Sequence, residues 1–137
     1  MSRVAVTGLG AVTPLGNDVP STWRAALDGK SGIDFIRAFD ASNESVKIAA
    51  EVKDFDPDGL APAKELRRMD RNVVLALAAA REAMADAALD GFDPARVGIV
   101  FGSAIGGIQG IVEQAGVLRD RGPDRVSPTF IQNVLVD

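Results

Sequence analysis

The feature that most constrains this chain is a long run, Asp70 to Leu89, that reads as a helix apolar on nearly every side. Met69, Val73, Leu77, Ala80, Met84 and Ala87 recur every three or four residues, which is the period of one helix face. Leu75 through Ala80 carries apolar side chains round the rest of the circumference. Asp70 is placed as the N-cap, and Gly91 follows the end. About eighteen helical residues would span roughly 27 Å. A helix with so little polar face is expected to be covered on more than one side.

The segments around it read as further layers. Arg3-Val4-Ala5-Val6-Thr7, closed by Gly8, is expected to be a buried strand. Val19, Trp23, Ala26 and Leu27 fall at helical spacing, with Gly29 at the C-cap and Trp23 expected in the core. Lys47 to Val52 is a second strand candidate. Arg96 to Gly102, apolar between Pro94 and glycine, is expected to be a central strand covered on both faces. Gly106 to Arg121 reads as a helix stopped by Gly122-Pro123. Ser127 as N-cap and Pro128 at the first position open a last helix, Thr129 to Val136. This order gives α/β layers with a mixed or parallel sheet. The stretch Ile131, Val134, Leu135, Val136 has no polar tail. Domain boundaries are usually polar, so polypeptide is expected to continue beyond Asp137.

Composition narrows the function classes. The 137 residues carry a net charge of −4, so wholesale nucleic-acid binding is not expected. No apolar run is long enough to cross a membrane as a helix, and the N-terminus reaches glycine too early for a secretory signal. A cytoplasmic protein is expected. The chain has no Cys, no His and no Tyr. It therefore has no thiolate nucleophile and lacks the commonest general base near neutral pH. Catalysis would have to use carboxylates, Lys, Arg, Ser or Thr, or be completed by residues outside this chain.

Each motif has an ordinary reading beside a functional one. Gly8-Leu9-Gly10 follows a strand candidate, but Thr13 occupies the third glycine position of a dinucleotide fingerprint. A tight turn is the better reading. Gly102-Ser103-Ala104-Ile105-Gly106-Gly107 lacks the Gly-Lys-Ser/Thr ending of a phosphate loop, and no His is present to activate Ser103. It is either a close-packing turn or a turn that displays Ile105 into an apolar pocket. Lys64, Arg67, Arg68 and Arg71 are either a solvated helix face or a docking surface for an acidic partner. Phe130 and Ile131 are expected to be buried, in core or in a pocket. Asp34, Asp40, Asp54, Asp56 and Asp58 are scattered through turns and form no acid–base pair and no metal-ligand spacing.

Taken in order, these stretches resemble the β-ketoacyl-acyl carrier protein synthase II family. The matching segments are Val6 to Gly16, Gly29 to Ile33, Phe39 to Ser42, Val52 to Asp56, Arg67 to Arg71, Gly102 to Gly107, Gly122-Pro123 and Arg125 to Pro128. The resemblance implies a thiolase-like α/β fold, layered αβαβα, of two similar halves and usually a homodimer. Residues 1–137 would be the N-terminal portion of the first half, with the catalytic remainder absent from this chain. The implied function is 3-oxoacyl-acyl carrier protein synthesis in fatty acid elongation. A Cys takes an acyl group as a thioester, malonyl-carrier protein loses carbon dioxide, and the carbanion attacks the thioester with two His residues assisting. None of these three catalytic residues can be placed on this chain, so the chain alone is expected to be inactive.

Other roles carry over from the resemblance. Ile105 matches the gate of the acyl-chain pocket. Phe130 and Ile131 match pocket-lining positions near the dimer interface. Lys64, Arg67, Arg68 and Arg125 match basic positions that receive an acidic acyl carrier protein. Malonyl and acyl thioesters are the implied substrates. No cofactor, metal, nucleic acid or membrane partner is expected. Ala104, Asp124 and Asp137 depart from the family's usual glycine, basic residue and Asn. A non-catalytic chain-length partner and a polyketide-type ketosynthase are the neighbouring alternatives.

Overall fold

The structure is a computed structural model that describes residues 3–88 and 91–134. Its elements, in chain order, are α1 (Val19–Leu27), β1 (Ile33–Phe35), β2 (Ile48–Ala50), α2 (Ala63–Leu66), α3 (Arg71–Asp86), α4 (Ile108–Arg121) and α5 (Phe130–Val134). Short 3-10 turns occupy Pro94–Arg96 and Pro123–Arg125. The chain divides into two units, Met1–Asp56 with Ala78–Leu89, and Pro57–Leu77 with Asp90–Asp137.

In the first unit, α1 is cut at both ends by local chemistry. The Asp18 carboxylate accepts from the Ser21 amide at 2.6 Å, supplying one acceptor that the first turn lacks. At the other end Gly29 adopts φ +66°. Its amide donates to the Ala26 carbonyl while that of Lys30 reaches back to Ala25, at 3.1 and 3.0 Å. This is the left-handed helix stop that the glycine's placement led us to expect. Ala25 is buried, but Trp23 is 64% exposed. The expectation that Trp23 lies in the core is therefore corrected: helical spacing was right, and no described element covers that face of α1.

β1 and β2 pair antiparallel, with Ile33 opposite Ala50 and Phe35 opposite Ile48. β2 falls inside the expected strand Lys47 to Val52, while β1 was not anticipated. Asp34, on the opposite face from Ile33 and Phe35, takes Lys53 at 3.0 Å and Arg37 at 2.9 Å. The hydrogen bond from Lys53, then that from the Phe35 amide, hold its carboxyl below the usual aspartate range.

Gly8 and Gly10 pack their backbone against α3. A Cβ at Gly8 would collide with the Ala83 carbonyl, and one at Gly10 with the Ala79 carbonyl and the Ala83 amide nitrogen. With the loop this close, side chains of α3 reach its amides. Asp86 accepts from Leu9 at 2.9 Å. Glu82 accepts from Ala11 at 2.9 Å through one oxygen and from Val19 at 2.8 Å through the other. Gly8-Leu9-Gly10 thus packs against α3 but is not itself the tight turn expected there; the turn of this stretch falls at Pro14-Leu15, between Thr13 and Gly16.

Two strand expectations are corrected. Arg3–Thr7 and Val97–Gly102 pair with nothing among the described residues, and Arg96 ends a 3-10 turn. Val4 is 96% exposed and Val100 100% exposed. A strand exists only through its neighbours, and an apolar pattern cannot say where they lie. The helix expected from Asp70 to Leu89 is found as α3, ending at Asp86; Leu89 lies outside the described residues. Val74 is its buried residue, with Leu75, Ala76, Leu77, Ala78 and Ala79 half-buried, so its full coverage is also not met among the described residues. The last helix begins at Phe130, later than expected, because Ser127 and Pro128 form a turn closed by the bond from Phe130 N to Ser127 O at 3.0 Å. Leu135, Val136 and Asp137 lie outside the described residues.

Replacing Gly10 with Ala should destabilise the fold by about 1–3 kcal/mol through overpacking. Gly29→Ala, in open space at positive φ, should cost about 1 kcal/mol. Equilibrium urea unfolding of both variants checks the order; a Gly10→Ala variant as stable as the parent would contradict the close packing.

Candidate functional site

All the site residues expected from the sequence belong to the second unit. Lys64 lies on α2, and the chain continues to coil past its end. Arg67 N bonds to Ala63 O at 3.3 Å, Arg68 N to Glu65 O at 2.8 Å and Met69 N to Leu66 O at 3.2 Å. Those bonds put Lys64, Arg67 and Arg68 at spacings of three and four, on one face. All three are exposed. Among the described residues, none of them is ion-paired with a carboxylate. Their charge is therefore available to a partner.

Asp70 follows them. Its carbonyl starts α3, accepting from Val73 and Val74 at 3.1 and 3.2 Å. Asp70 thus stands at the N-cap position of α3, as expected; its carboxylate Oδ2 also accepts from the Gly110 amide, in the first turn of α4, at 3.0 Å. Gln114, one turn further along α4, accepts from the Ser127 amide at 2.8 Å through Oε1. These two bonds tie the basic segment and the entry to α5 onto the same helix.

A cavity of about 400 Å³ opens between them. Arg67, Arg68, Asp70, Gln109, Gln114 and Phe130 are among the residues that line it. The structure therefore brings Arg67 and Arg68 together with Phe130. Lys64, Ile105, Arg125 and Ile131 do not line this cavity. Ile105 stands 64% exposed in the turn before α4, and Arg125 is exposed at the end of its 3-10 turn. Burial of Phe130 and Ile131 was expected; Phe130 is half-buried and Ile131 is 58% exposed. The first turn of α5 keeps a flank open, since no described element packs over Ile131.

The turn that carries Ile105 is fixed internally. Gly106 has φ +74° and donates to the Ser103 hydroxyl at 3.0 Å. Gly106 and Gly107 are buried while Ser103, Ala104 and Ile105 are exposed. The glycines serve the close packing of the turn, and Ile105 is the side chain it displays outward.

The donors around the cavity are guanidiniums, amides and hydroxyls. They suit recognition of carboxylate or phosphate oxygens. With no His or Cys in the sequence, the arrangement supplies no thiolate or imidazole. No group of three or more potential metal ligands occurs among the described residues, and none of their helices is long and apolar enough to cross a membrane. Asp70 and Gln114 were missed as structural ties because their partners lie far along the chain, and no local pattern announces them.

Comparison with known proteins bears on the whole chain. The family model "Beta-ketoacyl synthase, N-terminal domain" matches residues 1–136. The 3-oxoacyl-[acyl-carrier-protein] synthase 2 of Staphylococcus aureus (strain N315) is 45% identical over 137 residues, covering 98% of this chain and 33% of the relative. A β-ketoacyl synthase from Burkholderia phymatum STM815 superposes with a TM-score of 0.78 at 26% identity, over 98% of this chain and 34% of that one. A type II polyketide ketosynthase, AntDE, solved with its acyl-carrier protein AntF, superposes with a TM-score of 0.69 at 26% identity, over 93% and 33%. The chain spans about a third of the length of these proteins.

Removal of the Gln114 acceptor by Gln114→Ala should cost about 1 kcal/mol. It should also speed hydrogen exchange at the Ser127 amide. Unchanged exchange there would show that this bond does not hold the entry to α5.

Proposed function

For a chain that belongs to the β-ketoacyl synthase N-terminal domain family, with a thiolase-like α/β fold, we propose that it is the recognition portion of a 3-oxoacyl-acyl carrier protein synthase. The observation that carries this reading is the match along residues 1–136, with 45% identity to a synthase 2 over the length of the chain. In this reading the intact protein elongates fatty acyl chains by decarboxylative condensation of malonyl-carrier protein with an acyl thioester. Residues 1–137 form part of the first thiolase-like half. The nucleophilic Cys and the two assisting His are supplied by polypeptide beyond them.

The chain's own residues then bind and position. Lys64, Arg67 and Arg68 form an exposed cationic face with no ion-pair partner among the described residues, which suits an acidic carrier protein; Arg125 adds to it. A carrier protein is the partner of the AntDE ketosynthase with which this chain superposes. Ile105 faces outward from a rigid turn, as a gate over an acyl chain would. Phe130 and Ile131 keep apolar surface available for the acyl pocket and for a second copy in a homodimer. No part of this role requires a cofactor, and the enzyme works in the cytoplasm, where its carrier-bound substrates are made.

The direct experiment is condensation by the intact enzyme, read as release of carbon dioxide from malonyl-carrier protein and formation of 3-oxoacyl product. A protein that binds acyl-carrier protein without condensing would instead be a non-catalytic chain-length partner. Joint replacement Lys64→Glu and Arg68→Glu should weaken carrier binding on the order of tenfold or more at low salt, with a smaller effect at high salt. Unchanged affinity at low salt would remove the docking face. Ile105→Phe should shorten the accepted acyl chain, and an unaltered product-length profile would remove the gate.

A further inference from the structure

The bond between Asp70 and Gly110 joins two parts of the second unit that the proposed function uses separately. On one side is the basic segment, in which Asp70 follows Arg67, Arg68 and Met69 directly. On the other is the turn that carries Ile105 into α4. The first turn of α4 needs such an acceptor. Its N-cap is Gly107, which has no side chain to offer, and the opening amides of a helix have no acceptor of their own. The Asp70 carboxylate supplies one at Gly110 from a distance of 3.0 Å. Glycine makes the approach possible: a Cβ there would lie 3.2 Å from the same carboxylate oxygen and 3.4 Å from Val134 Cγ1. Gly107 in turn donates to the Val134 carbonyl at 3.3 Å. The exit of the Ile105 turn is therefore held from two directions, by Asp70 through α4 and by the last described residue of α5.

Asp70 also opens α3, its carbonyl accepting from Val73 and Val74, so the one residue joins the starts of two helices. Its carboxylate is what reaches α4.

We propose that Asp70 is a positioning residue for acyl-chain selection, acting by fixing the first turn of α4 and with it the placement of Ile105. This rests on the reading of Ile105 as the gate of a condensing enzyme. Loss of the carboxylate would let the start of α4 shift and move the gate without touching the reacting atoms. A displacement of that kind changes which chain lengths fit before it changes the chemistry of those that do.

The test uses the intact enzyme with matched short- and long-chain acyl-carrier proteins. Asp70→Ala should change the ratio of kcat/KM for long over short chains on the order of tenfold, while Asp70→Asn, which keeps an oxygen acceptor, should return most of it. Hydrogen exchange at the Gly110 amide should quicken in the Ala variant and not in the Asn variant. Should Asp70→Ala fail to fold, Gly110→Ala, which crowds the same oxygen, should move the ratio in the same direction. A loss equal at every chain length, not rescued by Asn, would reduce Asp70 to a structural residue and overturn the inference. An active parent enzyme whose variants leave the ratio unmoved would overturn it alone. A parent enzyme with no condensing activity would remove the proposed function, and the inference with it.

Discussion

Carboxylates satisfying distant backbone amides are the interaction on which this structure depends. Loops leave amides that neither helix nor sheet can satisfy, and a buried or half-buried amide without an acceptor is costly. In the first unit Glu82 and Asp86 on α3 take three such amides, those of Leu9, Ala11 and Val19. In the second unit Asp70 takes one from α4. Each bond joins residues forty or more positions apart in the chain. With a sheet of only two short strands among the described residues, side chains do the joining that a ladder does elsewhere.

The sequence disclosed whatever depends on neighbours in the chain. The stop at Gly29 was legible because only a residue tolerant of positive φ ends a helix that way. The start of α3 and the end of α4 were legible, the one from spacing behind Asp70 and the other from Gly122-Pro123. The pattern failed where the answer lies in another segment. Val4 and Val100 have the residues of buried strands, yet pairing is a property of two segments and cannot be read from one. Trp23 has helical spacing and a core-like identity, but coverage depends on what packs above it. Asp70 was legible as the residue before α3 because caps are local; its second partner, Gly110, is forty residues away and nothing nearby indicates it. β1 was missed because its three residues, Ile33-Asp34-Phe35, are too few for alternation to be visible.

The site was legible to a similar degree. The basic face was drawn from spacing in the sequence, and the coil through Met69 does place Lys64, Arg67 and Arg68 together. That Arg67 and Arg68 share a cavity with Phe130 was not visible, since the two segments lie some sixty residues apart. The family resemblance assigned roles to Ile105 and Phe130, and geometry adds how they are held. The stretch has exposed cations and an outward isoleucine, and no Cys and no His.

The bared apolar runs at Val4 to Val6 and Ile99 to Val100 have a consequence for the chain as a substance. Unpaired backbone flanked by β-branched side chains is a template for intermolecular β-stacking. Neither run carries a charge or a proline between those valines and isoleucines to discourage it. Whatever shields them in the cell thus also keeps the protein from clumping, so colloidal solubility and correct assembly become a single property of this molecule.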